Sequence, residues 1–284
     1  MIIDAHHHFW KYNPMEYGWM DGSMAVLKRD YLPAELEHEI TLAGVWGTIA
    51  VQARQSLEET RWLLDLAGDY PFILGVVGWV DLRSPLLEEQ LEEFRDHPKL
   101  VGVRHVIHDE PEDDFMLQPA FLKGIETLGK YNLAYDLLLF PRHLVTAAEL
   151  AGMLPEHRFV LDHLSKPPIK DGLMQPWNDD LLALAARSNV WCKISGMVTE
   201  ADLSGWRYED FIPYMDAVVE AFGPDRIMLG SDWPVCRLGG RYEKVMGIPG
   251  RYFDSFPGRL RNRIFFQNAI DCYQLKPEKN EKNR

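Results

Sequence analysis

Short, almost continuously apolar runs recur along this chain, and between them apolar residues fall at helical spacing. The runs lie at 2–6, 48–52, 73–80, 101–106, 133–138, 158–162, 190–194 and 226–230. Strands of a parallel sheet read this way, because helices cover both of their faces. Segments 57–67, 85–94, 119–128, 179–186 and 214–222 carry apolar positions three and four apart, as amphipathic helices do. Eight strands alternating with helices over about 250 residues predict an α/β fold, a (β/α)8 TIM barrel with room for distortion. An open, doubly wound sheet is the structural alternative. That fold wants a glycine fingerprint after its first strand, and histidines stand there instead.

No linker, repeat or low-complexity block divides the chain. Residues 1–275 are therefore expected to form a single barrel domain. Residues 276–284 are charged, lack an apolar period and are expected to be a flexible tail. A longer loop, 13–31, follows the first strand. It holds Tyr17, Trp19 and Met20, and reads equally as a lid or as a plain surface loop.

Composition narrows the classes. The chain has 284 residues, 46% of them hydrophobic, enough to bury a large core. Its formal net charge of -13 argues against nucleic acid or an anionic membrane surface as partner. It leaves room for an anionic small substrate, since a pocket can be locally basic. Cys192, Cys236 and Cys272 are odd in number, widely spaced and without a CxxC pair. A reducing compartment, the cytoplasm, is expected. Neither a signal peptide nor a run of about 18 apolar residues is visible, so neither export nor a membrane span is expected.

The candidate chemistry begins at Asp4-Ala5-His6-His7-His8-Phe9-Trp10. Alternate residues of a strand share a face, so His6 and His8 point one way and His7 the other. Two imidazoles on one face can hold a divalent metal. In a TIM barrel the active site lies at the C-terminal ends of the strands. The predicted strands end in His6 and His8, Gln52, Arg104 and His105, Asp162 and His163, and Ser231-Asp232-Trp233, with Asp136 and Lys193 inside two more. Buried charges are costly without partners, so packing alone accounts poorly for this series. His6, His8, His163 and Asp232 suit one Zn²⁺ that activates water. The same four also suit a metal-free site in which the histidines orient Asp232 as a base.

Four segments carry a more specific signal: DAHHHFW at 4–10, GVRHVIHDEPEDDF at 102–115, DHLSKPPI at 162–169 and GSDWPVC at 230–236. Together with VQARQSLEETRWLLDLA at 51–67, they resemble the amidohydrolase superfamily. Within it they are similar to the amidohydrolase-2 branch and its sugar-lactone hydrolases of the L-fuconolactonase and L-rhamnonolactonase type. The resemblance covers nearly the whole chain. It implies a hydrolase of carbohydrate metabolism that opens a sugar lactone, with His6, His8, His163 and Asp232 as the metal or water-activating set. It further implies Asp232, His163 and Arg104 as catalytic residues, with Arg104 on the substrate carbonyl. Asp136 and Lys193 would contact substrate. No residue matches the bridging ligand of binuclear members, so at most one zinc is implied, weakly bound or dispensable.

Each residue also has a plainer reading. Asp4 shares the histidine face, as a partner of the histidines or a strand-start carboxylate. His7 should be structural. His105 alternates with Arg104 and stays a weaker candidate for substrate contact, while His108 and 109–114 read as loop. Asp162 faces away from His163 and reads as structural. Trp10 and Trp233 pack or stack on a sugar ring, and Gln52 would meet its hydroxyls. Two other activities stay open: a metal-dependent non-oxidative decarboxylase, and a non-catalytic sugar-acid binding barrel. The expected partner is a small lactone, with a homodimer allowed.

Overall fold

The computed structural model describes residues 1–276. The predicted tail, 276–284, lies outside the described residues except for Lys276. Eight strands form one parallel sheet in sequence order. They are β1 (Ile3–His7), β2 (Gly47–Val51), β3 (Ile73–Gly78), β4 (Leu100–His105), β5 (Ala134–Leu137), β6 (Phe159–Leu161), β7 (Val190–Ile194) and β8 (Ile227–Leu229). A helix follows each: α1 (Pro33–Ala43), α2 (Leu57–Asp69), α3 (Leu87–Phe94), α4 (Pro119–Lys130), α5 (Leu144–Met153), α6 (Trp177–Ala185), α7 (Ile212–Phe222) and α8 (Tyr242–Tyr252). This is the predicted (β/α)8 barrel. Two short helices, α9 (Gly258–Asn262) and α10 (Asn268–Tyr273), end the described chain. Among the described residues no helix is long and apolar enough to cross a membrane.

Local chemistry sets the helix boundaries. The Ser56 side chain accepts from Glu59 N at the start of α2, which satisfies one of the free amides of the first turn. Gly44 ends α1 in the left-handed conformation, φ 67°. Of α1, only Pro33, Leu36 and Ile40 are buried, so its apolar stripe is too thin to announce the helix.

Two apolar clusters hold the molecule. One lies between the strands and the helices and includes Leu63, Ile125, Leu150 and Val218. The other fills the barrel, where Ile3, Ala5, Ile49, Val77 and Val160 meet Ala269, Cys272, Tyr273 and Leu275. Residues 268–275 thus plug the barrel from below.

The strands are not regular. The β1–β2 register shifts between Asp4 and His7, and the β3–β4 register shifts between Val76 and Val77. An extra residue resets which side chains face inward beyond it. Closure between β8 and β1 runs through the residues after β8. Asp232 N donates to His6 O at 2.8 Å, and His8 N to Trp233 O at 2.6 Å. The bonds that close the barrel therefore set Asp232 beside the histidines.

Candidate active site

Above the closure, four predicted residues meet. His6 Nε2 lies 3.3 Å from His8 Nε2 and 3.9 Å from Asp232 Oδ1. His8 Nε2 is 3.4 Å and His163 Nε2 is 3.8 Å from the same oxygen. Each ring is held from behind. His8 Nδ1 donates to Val51 O at 2.8 Å, His163 Nδ1 pairs with Ser195 Oγ at 2.8 Å, and His6 Nδ1 with Asp162 Oδ1 at 3.2 Å. All three Nε2 atoms are left facing one point.

The backbone is bent to achieve this. His163, Leu164, Ser165 and Lys166 all have φ between 52° and 60°, and Asp232 has φ 57°. Left-handed residues other than glycine cost roughly 1–2 kcal/mol each, and such strain clusters at functional sites. Two glycines make room. A Cβ on Gly230 would sit 2.6 Å from His6 Cβ, and one on Gly196 would sit 2.6 Å from His163 Nδ1.

Electrostatics favour neutral imidazoles around a charged carboxylate. Burial pushes His163 down to about 4, against the pull of Asp232. Burial likewise holds His6 well below the ordinary histidine value, although Asp162 pulls the other way. Burial opposes ionisation of Asp232, yet His163 and His8 bring its carboxyl below the usual range. Among the described residues no lysine or arginine forms an ion pair with Asp232; the groups within 4 Å of its charge are imidazoles, with Lys166 acting from farther off.

The amidohydrolase family model matches residues 3–275. The chain belongs to the amidohydrolase family. It is 39% identical to an L-fucono-1,5-lactonase of Burkholderia multivorans over 96% of both chains. It is 36% identical to an L-fucono-1,5-lactonase of Burkholderia ambifaria, covering 96% of this chain and 95% of that one. Among solved structures, an amidohydrolase from Burkholderia multivorans with bound zinc superposes with a TM-score of 0.93 at 39% identity. That match covers 97% of this chain and 100% of the other.

This amidohydrolase has a donor set that fits zinc. Tetrahedral Zn²⁺ with bonds of about 2.0–2.1 Å separates its ligand atoms by about 3.3 Å, close to the 3.3 and 3.4 Å found around His8. His6, His8 and Asp232 offer ligand atoms mutually within 4.8 Å. His163 stands next to them through Asp232. Neutral nitrogens around one carboxylate suit a dication.

His8, His163 and Asp232 of this set, with His6 buried behind them, line a cavity of about 430 Å³, a size suited to a small ligand. Of the predicted substrate contacts, Trp10 and Arg104 line it. Arg104 reaches in from β4, with Nη1 3.3 Å from His6 Nε2 and 3.0 Å from Asp162 Oδ2. The other predicted contacts stand off the pocket wall. Gln52 is buried and accepts from Arg104 Nη2 at 2.8 Å. His105 points outward, bonded to Glu110 at 2.7 Å and stacked on Phe115. Trp233 is buried against Phe9 and Tyr31. Asp136 and Lys193 face into the barrel as expected but pair there with each other at 2.6 Å, both fully buried.

Two plainer readings also change. Asp162 faces the same centre as His163, because the left-handed turn beginning at His163 interrupts strand alternation. Asp4 is turned from the histidine rings by the β1 irregularity. It accepts from Ser231 N at 2.8 Å and from Tyr242 OH at 3.0 Å, which steadies the segment before Asp232.

Sequence reasoning passed over several pocket residues. His108 lines the cavity and stacks on Phe140, and Asp109 lies beside it. Lys166 and Glu200 form a 3.0 Å ion pair in the wall. Lys166 stands in the quoted DHLSKPPI motif, so its signal was on the page. The 13–31 loop contributes Trp19 and Met24 to the wall, whereas Tyr17 and Met20 are buried. Trp10 Nε1 donates to Arg29 O at 2.9 Å and ties that loop to the end of β1.

Proposed function

We propose that this amidohydrolase opens a sugar lactone to its aldonate, with Asp232 activating the attacking water. The observation that carries this reading is the convergence of the histidine Nε2 atoms on Asp232, with His8, His163 and Asp232 lining the pocket. The L-fucono-1,5-lactonases at 39% and 36% identity support it. One zinc held by His6, His8 and Asp232, with His163 facing it, would supply a Lewis acid that makes bound water acidic near neutral pH.

The chain's own groups divide the remaining work. Asp232 takes a proton from water as the water oxygen attacks the ring carbonyl. Arg104, with Nη1 beside His6, donates to the carbonyl oxygen as negative charge develops. A well-aimed donor is worth roughly 3–4 kcal/mol in such a site. The acyl C–O ring bond then breaks, and Asp232 returns its proton to the departing ring oxygen. The product acid ionises to the aldonate.

The rest of the pocket suits a molecule polar at one end and apolar at the other. Lys166 and Glu200 offer a cation and a carboxylate to ring hydroxyls, while Trp19, Met24, Leu203 and Leu238 offer apolar wall. A deoxysugar lactone has this character. We place the protein in the cytoplasm, a reading supported by three free, buried cysteines.

The test is acid release from L-fucono-1,5-lactone in a pH-stat. Asp232→Asn should lower the rate by about 10³-fold, within the range of a lost general base, with an unchanged circular dichroism spectrum. Turnover within tenfold of wild type would contradict the scheme. Release of CO₂ in place of acid would move the activity to decarboxylation.

A further inference from the structure

Beneath the pocket floor a chain of polar groups runs down the barrel interior to the C-terminal plug. Tyr273 of α10 donates its hydroxyl to Asp136, 2.9 and 2.8 Å from the two carboxylate oxygens. Asp136 Oδ2 accepts from Lys193 Nζ at 2.6 Å. Lys193 Nζ lies 3.0 Å from Asp162 Oδ1 and 3.3 Å from His6 Nδ1. Asp162 Oδ1 is 3.2 Å from that same His6 nitrogen. Asp136, Asp162, Lys193 and His6 are fully buried, and Tyr273 is 2% exposed.

These distances pose a choice at His6. A neutral imidazole carries one hydrogen. If Nδ1 donates to Asp162, the Nε2 lone pair faces His8, Asp232 and the Arg104 guanidinium, whose Nη1 is 3.3 Å away, and can accept from that donor or bind a cation in its place. If Nδ1 accepts from Lys193, the hydrogen moves to Nε2 and that lone pair is lost. Lys193 can reach Nδ1, so something must draw the ammonium away. Asp136 does so from below with the shorter contact, 2.6 Å against 3.3 Å. Tyr273 in turn fixes both oxygens of Asp136.

We propose that Tyr273 is a positioning residue of the active site: through Asp136 it holds Lys193 off His6 Nδ1 and so keeps His6 in the tautomer whose Nε2 lone pair is turned to His8 and Asp232. The C-terminal helix thereby sets a ring at the opposite end of the barrel without touching it. This goes beyond the lactonase reading, and two of its three readouts are independent of that reading.

The experiment compares wild type with Tyr273→Phe, which keeps the ring in the plug and removes the hydroxyl alone. A second variant, Leu275→Ala, loosens the same plug at a residue outside the polar chain. Three quantities are measured: ¹⁵N shifts of the His6 ring in histidine-labelled, chelator-treated protein, zinc affinity by competition with a chromophoric chelator, and steady-state lactone opening. Wild type and Leu275→Ala should show the hydrogen on Nδ1. Tyr273→Phe should show a shift toward Nε2, zinc binding weaker by about 3- to 10-fold, and kcat lower by a similar factor with KM within twofold. Loss of a partner behind a metal-binding histidine typically costs 10- to 100-fold, and Tyr273 acts at a further remove. An unchanged His6 tautomer and zinc affinity in Tyr273→Phe would overturn the proposal. So would equal changes in Leu275→Ala, which would make the effect one of plug packing. If wild type opened no lactone, the nitrogen shifts and zinc affinity would still decide the matter.

Discussion

The Asp136–Lys193–Asp162–Arg104 network and the His6–His8–His163–Asp232 set are both buried in one barrel, yet they treat charge differently. In the network two cations face two carboxylates, each within 3.0 Å of an opposite partner. Burial opposes ionisation, but Asp136 and Asp162 hold Lys193 above the ordinary lysine value. Against the same burial, Lys193, His6 and Arg104 hold Asp162 well below the usual carboxylate range. The upper set has one carboxylate among three imidazoles, of which burial keeps His6 and His163 neutral, with the Nε2 atoms facing it. The network balances its own charges, and of its members Arg104 alone also lines the pocket, whereas the histidine set presents convergent acceptors suited to a cation. Burial is common to the two groups; the balance of charge is what differs.

This contrast can be broken by substitution. Asp162→Asn takes one charge from the balanced network, strands Arg104 and leaves Lys193 with Asp136 alone. It should cost about 3–5 kcal/mol in urea denaturation. Asp232→Asn should stay within about 1 kcal/mol of wild type, because no cationic side chain loses a partner. Equal losses in the two variants would erase the distinction.

Glu59 offers an intermediate case. Its Oε2 accepts from Ala53 N at 3.0 Å and Arg54 N at 2.7 Å, and its closest cation, Arg54, is 3.6 Å away. Burial wins there and pushes the carboxyl up to about 7 from 4.5, against those bonds. Between these values the folded state holds a proton that the unfolded state has released. Stability therefore falls as pH rises through this window, by about 3 kcal/mol at 1.36 kcal/mol per pH unit. Glu59→Gln should flatten the denaturation midpoint over pH 4.5 to 7. A slope that persists in the variant would assign it to other groups.

The smallest effect is expected at His105. It is 6% exposed and engaged with Glu110 on the helix side of β4. His105→Gln should leave lactone kcat/KM within about twofold. A tenfold loss would place the ring in the site and redraw its boundary.

The barrel was legible because each strand is a run buried on both faces, and β7, Val190–Ile194, falls on its predicted bounds. The His6, His8, His163 and Asp232 set was legible because strand ends in such a barrel point to one place. Face assignments by simple alternation were less secure. At Asp162 and His163 the backbone turns left-handed, so neighbours in sequence look to one centre. At Asp4 and His6 an irregularity in β1 interrupts the alternation. Asp136 and Lys193, expected to contact substrate, instead pair with each other inside the barrel, and nothing local reveals that Tyr273, 137 residues beyond Asp136, rises from below to meet them. The pocket wall came from loops, where His108 and Lys166 carry no periodic pattern to mark their side.

The most direct test is a crystal of the zinc-loaded protein measured at the zinc absorption edge. The account predicts one anomalous peak within bonding distance of the Nε2 atoms of His6 and His8 and a carboxylate oxygen of Asp232, with His163 facing it. A peak beside Asp162 and Lys193, or none at the histidines in a crystal whose protein opens lactone at the full rate, would contradict it.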